Sequence, residues 1–138
     1  MFDVIYYSRG GNTKKLATAI AAELGVSPQN VKDVKELPQH SLILLGSGCY
    51  GGRPASEMVR FIEKNDFKGM RVALFGTSAS GEGKETDAME KLLKGKECRI
   101  LGKFCCTGKF LLSNKGHPSD EELDKARYFA QRMKKAIV

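Results

Sequence analysis

The stretch YYSRGGNT, residues 6–13, decides the fold of this 138-residue chain. Its tyrosines end a short apolar run, DVIYY (3–7), which predicts a buried strand. A turn of small residues with one arginine follows. Next comes NTKKLATAIAAEL (12–24), whose apolar residues recur with helical spacing and which is followed by Gly25. A strand that leads through a glycine-rich turn into a helix is typical of an α/β protein.

The rest of the chain continues this alternation. Further strands are predicted over VKDV (31–34), SLILLG (41–46), RVALFG (71–76) and ECRILGKFCCTG (97–108), the last interrupted at Gly102. Helices are predicted over ASEMVRFIEKN (55–65), around Ala88–Leu93, and after Ser119, which forms a capping box with Glu122. We therefore expect one domain over residues 1–138, a three-layer α/β/α sandwich whose parallel sheet carries helices on both faces.

Composition and charge limit the classes of partner. The net charge of +7 favours anionic partners, but the basic residues are scattered and form no nucleic-acid-binding motif, so nucleic acid is not expected. No apolar stretch approaches the roughly 20 residues that cross a bilayer. The N-terminus enters a strand without a signal-peptide pattern. We expect a cytoplasmic protein without membrane association.

The cysteines do not indicate a metal site. Cys49, Cys98, Cys105 and Cys106 form no C-x-x-C motif, and no cysteine or histidine cluster has zinc spacing. We expect reduced, mostly buried thiols. The neighbours Cys105 and Cys106 should face opposite sides of their strand, which favours a structural role over a redox couple.

Three loops rich in small residues follow predicted strands: SRGGNT, GSGCYGGRP and TSASGEG. Right-handed crossovers place such loops together at the carboxyl edge of a parallel sheet. Ordinary turns need fewer glycines, so three such loops indicate a ligand that the backbone approaches closely.

Other motifs do not fit. GSGCYG (46–51) matches the dinucleotide pattern G-x-G-x-x-G, but it follows the third strand and no acidic residue ends the next one. GTSASGEGKET fails the Walker pattern at Ser78 and Glu85. A cysteine-phosphatase loop would need a thiolate where Ser8 stands, and no Ser/His/Asp order indicates a triad. Hydrolysis and acyl transfer are therefore not supported.

The first loop is suited to a phosphate. The hydroxyls of Ser8 and Thr13, the Asn12 amide and successive backbone N–H groups would surround one at a helix N-terminus. The alternative is a capped helix start with a glycine turn. The two companion loops favour the ligand.

These motifs resemble the flavodoxin family. Residues 8–13 resemble its phosphate loop [ST]-x-T-G-x-T, with Gly10 in place of the middle hydroxyl residue. LGSGCYGGRPASEMVRFIE resembles its G-x-P-T-Y-G-G-R-P loop, with Cys49 in place of Thr, and NKGHPSDEELDKARYFAQRM resembles its final helix. The resemblance implies a five-stranded sheet of order 2-1-3-4-5 and FMN at the switch point between strands 1 and 3.

The resemblance also implies the binding residues. Tyr50 would lie beside the isoalloxazine ring, and the Gly51–Gly52 peptide would be free to turn toward flavin N5. The implied FMN-binding residues are Ser8, Arg9, Gly10, Gly11, Asn12, Thr13, Ser47, Gly48, Cys49, Tyr50, Gly51, Gly52, Thr77, Ser78, Ala79, Ser80 and Gly81.

Two departures from the family bear on function. The loop TSASGEG has no aromatic residue, so one ring face would be covered by small residues only. The chain is basic where carriers of the family are usually acidic, so its redox partner protein should present an acidic face. We expect an FMN-binding electron carrier with no catalytic residue. The alternatives are an FMN-dependent oxidoreductase that acts on a quinone or similar acceptor, and an interaction module that has lost its flavin.

Overall fold

The computed structural model describes residues 1–37, 42–107 and 116–137. Its strands are β1 (Phe2–Tyr7), β2 (Pro28–Asn30), β3 (Leu42–Tyr50), β4 (Arg53–Pro54), β5 (Arg71–Ser78) and β6 (Arg99–Thr107). Its helices are α1 (Asn12–Leu24), α2 (Ser56–Lys64), α3 (Lys84–Leu93) and α4 (Asp120–Ala136). None of the helices in these ranges is long and apolar enough to span a bilayer.

The sheet has the strand order β2-β1-β3-β5-β6, and every neighbouring pair on this path is parallel. This is the predicted order 2-1-3-4-5 once the two-residue β4 is set aside, because β4 only pairs antiparallel with the end of β3. The predicted fold is confirmed, with β4 as the additional strand. Strand order reverses between β1 and β3, which opens a crevice at the carboxyl edge of the sheet.

Alternate residues of the central strands supply two hydrophobic cores, one on each face of the sheet. Val4 and Leu44 pack with α1 and α4, whereas the next residues, Ile5 and Leu45, pack with α2 and α3. All four are fully buried. Because both faces are covered, these strands are continuously apolar rather than alternating. Each such side chain contributes about 1.5–3 kcal/mol on burial, so the central strands are firmly held.

The predicted second strand is wrong in position. The sequence predicts an extended segment over 31–34, but Val31–Asp33 form a 3-10 turn and β2 covers the preceding residues. The Asn30 side chain accepts a hydrogen bond from the Lys32 N–H at 3.0 Å. Such local side-chain bonds compete with the strand. Val31 is apolar because it packs in the core, not because it alternates along a strand.

The other strands also differ from their predicted bounds, by one residue for β1 and by two for β5. The third, predicted over 41–46, runs from Leu42 to Tyr50, and Ser41 lies outside the described residues. The fifth, predicted over 97–108, runs from Arg99 to Thr107 without interruption at Gly102, and Gly108 lies outside the described residues. Val72 pairs with Ile100 and Ala73 with Gly102, so one extra residue bulges between them. A Cβ at Gly102 would lie 2.9 Å from the Met133 Cε, so the glycine allows α4 to approach.

The four cysteines are free thiols, but the expectation that most are buried is wrong. Only Cys106 is buried, in the core beneath α1 and α4; Cys49, Cys98 and Cys105 are partly exposed. Cys105 lies on the opposite side of β6, where its thiol is 3.6 Å from the Gly81 carbonyl oxygen. Because β6 ends the sheet, its residues have less cover than those of central strands.

Candidate functional site

Three loops, after β1, β3 and β5, enclose an open groove of about 580 Å³ at the carboxyl edge of the sheet. This volume lies within the range of small-molecule sites. We call it the edge groove. It is lined by Ser8, Gly10, Asn12, Thr13, Gly48, Cys49, Tyr50, Gly51, Gly52, Thr77, Ser78, Ala79, Ser80 and Lys84.

The first loop presents the N-terminus of α1 to the groove. Gly11, with φ 91°, precedes the helix in a left-handed conformation that glycine adopts without strain. The Ser8 Oγ accepts a hydrogen bond from the Gly11 N–H at 3.0 Å, which closes the turn. Within the described residues no side chain caps α1, and its first turn has no acidic residue. The positive end of the helix dipole therefore acts on the groove without a competing carboxylate, which suits an anion.

A buried hydroxyl pair joins the first loop to the third. The Thr13 Oγ1 and the Thr77 Oγ1 are 2.9 Å apart. The two residues are 1% and 4% exposed. The pair fixes the start of α1 against the end of β5. Each hydroxyl has one proton and two acceptor lone pairs, so the pair leaves further hydrogen-bonding capacity toward a ligand.

The second loop is closed from below by Ser47. The Ser47 Oγ accepts a hydrogen bond from the Ala55 N–H at 2.9 Å and donates one to the Gly48 carbonyl oxygen at 2.8 Å. Above it, Gly51 and Gly52 have φ values of 62° and 80°, which side chains rarely adopt. Ser47 therefore sets the loop's shape from a fully buried position.

Tyr50 contacts the first loop from the second. The Arg9 guanidinium carbon lies 4.2 Å from the Tyr50 ring centroid, and the Arg9 backbone N–H donates to the Tyr50 hydroxyl at 3.2 Å. A Cβ at Gly48 would lie 2.7 Å from that hydroxyl oxygen, so this tyrosine position requires glycine there. Burial raises the pKa of Tyr50, and Arg9 acts in the opposite direction. The effect of burial is the larger, so the hydroxyl stays protonated at neutral pH.

Most of the predicted binding residues come together in the edge groove; the exceptions are Arg9, Gly11, Ser47 and Gly81. Arg9 borders a neighbouring groove that also contains Tyr50. Gly11 caps α1 and Ser47 lies beneath the second loop. Gly81 closes the third loop, where its N–H donates to the Ser78 Oγ at 2.8 Å. These four residues shape the loops around the groove.

Sequence analysis missed two residues at the start of α3. Lys84 lines the edge groove, and its Cδ lies 3.8 Å from where a Cβ at Gly52 would be. Glu85 is fully buried beside the groove. Both belong to the GEGKE segment, whose sequence matches a nucleotide loop only in part. The apolar spacing of α3 predicts a helix there but not that its first turn lies at the site.

The groove fits a ligand with a phosphate and a planar ring. The helix N-terminus and serine and threonine hydroxyls suit the phosphate, and Tyr50 provides one aromatic face. Arg9 and Lys84 add positive charge. In the described ranges no three histidine, cysteine, aspartate or glutamate side chains cluster as a metal site would require.

The chain belongs to the flavodoxin family. The family model for a flavodoxin domain matches residues 4–114. Members of this family bind FMN, so the cofactor prediction is confirmed at the level of the family.

Relatives extend over most of the chain. Flavodoxin from Clostridium beijerinckii is 34% identical over 109 residues, which cover 71% of this chain and 79% of the relative. Uncharacterized protein MJ0298 from Methanocaldococcus jannaschii is 30% identical over 136 residues, covering 90% and 91%. The crystal structure of oxidised Flavodoxin 1 from Bacillus cereus superimposes with a TM-score of 0.77 over 97% of both chains at 22% identity, which supports the fold.

Proposed function

We propose that this protein is an FMN-dependent electron carrier that exchanges electrons with a partner protein bearing an acidic face. FMN, when bound, supplies the reversible uptake of electrons. One observation carries the proposal: the edge groove combines the N-terminus of α1, which no described side chain caps, with the ring of Tyr50, at the point where strand order reverses. Membership of the flavodoxin family supports the same function.

In this proposal the first loop holds the phosphate. Ser8, Asn12 and Thr13 line the groove where α1 begins, and glycines leave backbone N–H groups accessible. Tyr50 would lie against the flavin ring, and Arg9 and Lys84 would favour the gain of negative charge on reduction. The protein thus positions the cofactor and adjusts its affinity for electrons, without an acid, base or nucleophile of its own.

The partner surface is a second groove beside the first, which we call the side groove. Its floor is apolar, with Pro54, Val59 and Leu92, and its charged residues among those described are the cations Arg9, Arg53 and Lys91. Tyr50 lines both grooves. A partner with acidic side chains around an apolar contact would be held next to the cofactor.

Titration with flavins tests cofactor binding. The purified protein is titrated with FMN and with riboflavin while flavin fluorescence is followed. We expect Ser8→Ala to weaken FMN much more than riboflavin, because the variant loses the 3.0 Å bond that closes the phosphate loop. Thr18→Ala, on the exposed side of α1, is the matched control and should leave both affinities unchanged. Failure of the natural protein to bind FMN would contradict the proposal.

Small charged oxidants test the role of the side groove. The rate of electron transfer from the reduced protein is measured with ferricyanide, an anion, and with a cationic cobalt(III) complex. Replacement of both Arg53 and Lys91 with glutamate should lower the rate of electron transfer to the anion and raise the rate to the cation. Added salt should reduce both effects. Reversal of Lys134 and Lys135 on α4, away from the grooves, is the control. Equal effects of the two double variants would exclude a specific docking surface.

An oxidoreductase that acts on a quinone is the second candidate. The third loop lines the groove with Ser78, Ala79 and Ser80, and such small side chains would leave one ring face open to a second molecule. Steady-state turnover with NAD(P)H and a quinone decides between the two. Rapid multiple turnover would favour the enzyme; one-electron exchange without such turnover would favour the carrier.

A further inference from the structure

Glu85 is a buried carboxyl that the proposed electron carrier does not otherwise use. The residue is fully buried, and among the described residues neither Oε1 nor Oε2 has a hydrogen-bond partner. A Cβ placed on Gly76 would lie 2.5 Å from Oε1, so the carboxyl occupies space that this glycine leaves in β5. Gly76 directly precedes Thr77 of the edge groove.

Cys49 connects this carboxyl with the groove. It lines the edge groove and is close enough to Glu85 for each group to influence the other's pKa. Among the described residues, the other ionisable groups that interact with Glu85 are Asp87 on its own helix and Cys105 and Cys106 on β6, and the adjoining Lys84 acts on Cys49. Burial raises the pKa of Glu85 above its ordinary value of 4.5, against the opposing effects of its own backbone N–H and of the Cys49 thiol, and the charge of Asp87 raises it further.

A charged Glu85 would be costly in this position. Within the described part of the chain no contact to either carboxyl oxygen has hydrogen-bond geometry, and the nearby Cys49 thiol is a weak donor, so a buried carboxylate here is disfavoured and tends to bind a proton instead. Negative charge arriving in the adjoining groove would disfavour the carboxylate further, because like charges at short range in a low dielectric repel strongly. The protonation of Glu85 and the charge of the groove are therefore linked.

We propose that Glu85 takes up a proton from solvent when the cofactor in the edge groove gains an electron, so that this buried carboxyl couples reduction to pH. The electron comes from the reductant or redox partner and stays on the cofactor. The proton forms an O–H bond on Glu85 and leaves again when the electron does. Glu85 does not contact the cofactor itself. It acts across Cys49 and the groove wall, by adding or removing a negative charge next to the cofactor site. The inference rests on the proposed function.

Proton counting tests the coupling. The FMN-loaded protein is reduced by the same known quantity of dithionite in weakly buffered solution, and proton uptake is measured between about pH 5 and about pH 9, which spans the range of buried glutamates. Within one pH window, Glu85→Gln should take up fewer protons per cofactor than the natural protein, by as much as one. The slope of the natural protein's potential should be steeper there by up to about 59 mV per pH unit for a one-electron step.

Glu82→Gln is the matched control. Glu82 directly follows Gly81 in the third loop, and its side chain is 59% exposed. The variant removes a carboxylate that water already solvates, so its proton count should equal that of the natural protein. Glu82 lies three residues from Glu85 and pairs with Lys84 of the edge groove at 3.5 Å, so Glu82→Gln also controls for a change in charge near the groove.

Infrared spectroscopy of the natural protein provides a second readout that needs no variant. The reduced-minus-oxidised difference spectrum should show a protonated carboxyl band that grows on reduction and shifts in D₂O. Equal proton counts for Glu85→Gln and the natural protein at every pH, or no carboxyl band, would overturn the inference while FMN binding stands. A natural protein that binds no FMN would overturn the proposed function, and this inference with it.

Discussion

The Thr13–Thr77 hydroxyl pair allows a quantitative test of how the loops of the site are joined. Replacing either threonine with valine keeps the shape of the side chain and removes one hydroxyl. The pair is buried and its oxygens are 2.9 Å apart. Each single variant therefore leaves the remaining hydroxyl without this partner in a buried position.

The expected magnitudes follow from this geometry. Leaving a buried hydroxyl unsatisfied costs about 1–3 kcal/mol, whereas replacing both partners with apolar groups of the same shape is nearly neutral. Thr13→Val and Thr77→Val should each reduce the free energy of unfolding by about 1–3 kcal/mol. The double variant should lose less than the sum of the two, with a coupling of about 0.5–3 kcal/mol.

Urea unfolding followed by circular dichroism measures all four proteins. The dependence of unfolding free energy on urea should stay the same, so that shifts in the midpoint report stability alone. Thr18→Val is the control, because the exposed Thr18 hydroxyl donates only to the Lys14 carbonyl oxygen of its own helix, at 2.7 Å. If the double variant loses the full sum of the single losses, the two hydroxyls do not interact and the argument is refuted.

Three further predictions concern stability. Gly46→Ala should destabilise the protein by about 1–3 kcal/mol or more in urea unfolding, because its Cβ would lie 2.0 Å from the ring of buried Phe75. Glu122→Ala should cost about 1–2 kcal/mol in the same assay, since it removes the capping box and the acceptor of the Thr107 N–H; unchanged stability would contradict this. Burial raises the pKa of Glu85 in the folded state. The protonated side chain therefore contributes to the free energy of unfolding below pH 4.5, and this contribution is lost as pH rises through the folded-state pKa. The urea midpoint of Glu85→Gln should therefore rise relative to the natural protein over that pH range, and a constant difference would contradict the assignment.

Much of the fold and site could be predicted because its signals are local and repeated. Continuous apolar strands such as Leu42–Leu45 require cover on both faces, and glycine-rich turns after them locate the carboxyl edge. The capping box at Ser119 is also visible in the sequence, and the structure confirms it. These features depend on neighbouring residues, so sequence spacing contains them.

The missed features depend on tertiary packing. Ser47 has the residue type of a ligand-binding hydroxyl, but β3 directs its side chain toward the Ala55 N–H. The hydrogen bond between them closes the second loop instead of binding a ligand. Glu85 has the residue type of an exposed helix start, but the space left by Gly76 admits its carboxyl into the interior. Neither outcome follows from spacing along the chain, since each requires a partner on another element.

The contacts that cross the edge groove indicate how little rearrangement cofactor binding requires. The Thr13–Thr77 pair can remain, because its hydroxyls keep spare hydrogen-bonding capacity. The contact between Arg9 and Tyr50 is exposed and consists of one hydrogen bond and one cation–π interaction. Together the hydrogen bond and the cation–π interaction stabilise this contact by about 2 kcal/mol. A free-energy difference of that size corresponds to less than about a 100-fold change in affinity. Tyr50 is thus the adjustable part of an otherwise preformed groove, so Tyr50→Phe, which removes the bond to Arg9, should change FMN affinity by less than about 100-fold. A larger change in the fluorescence titration would mean that the groove itself depends on that bond.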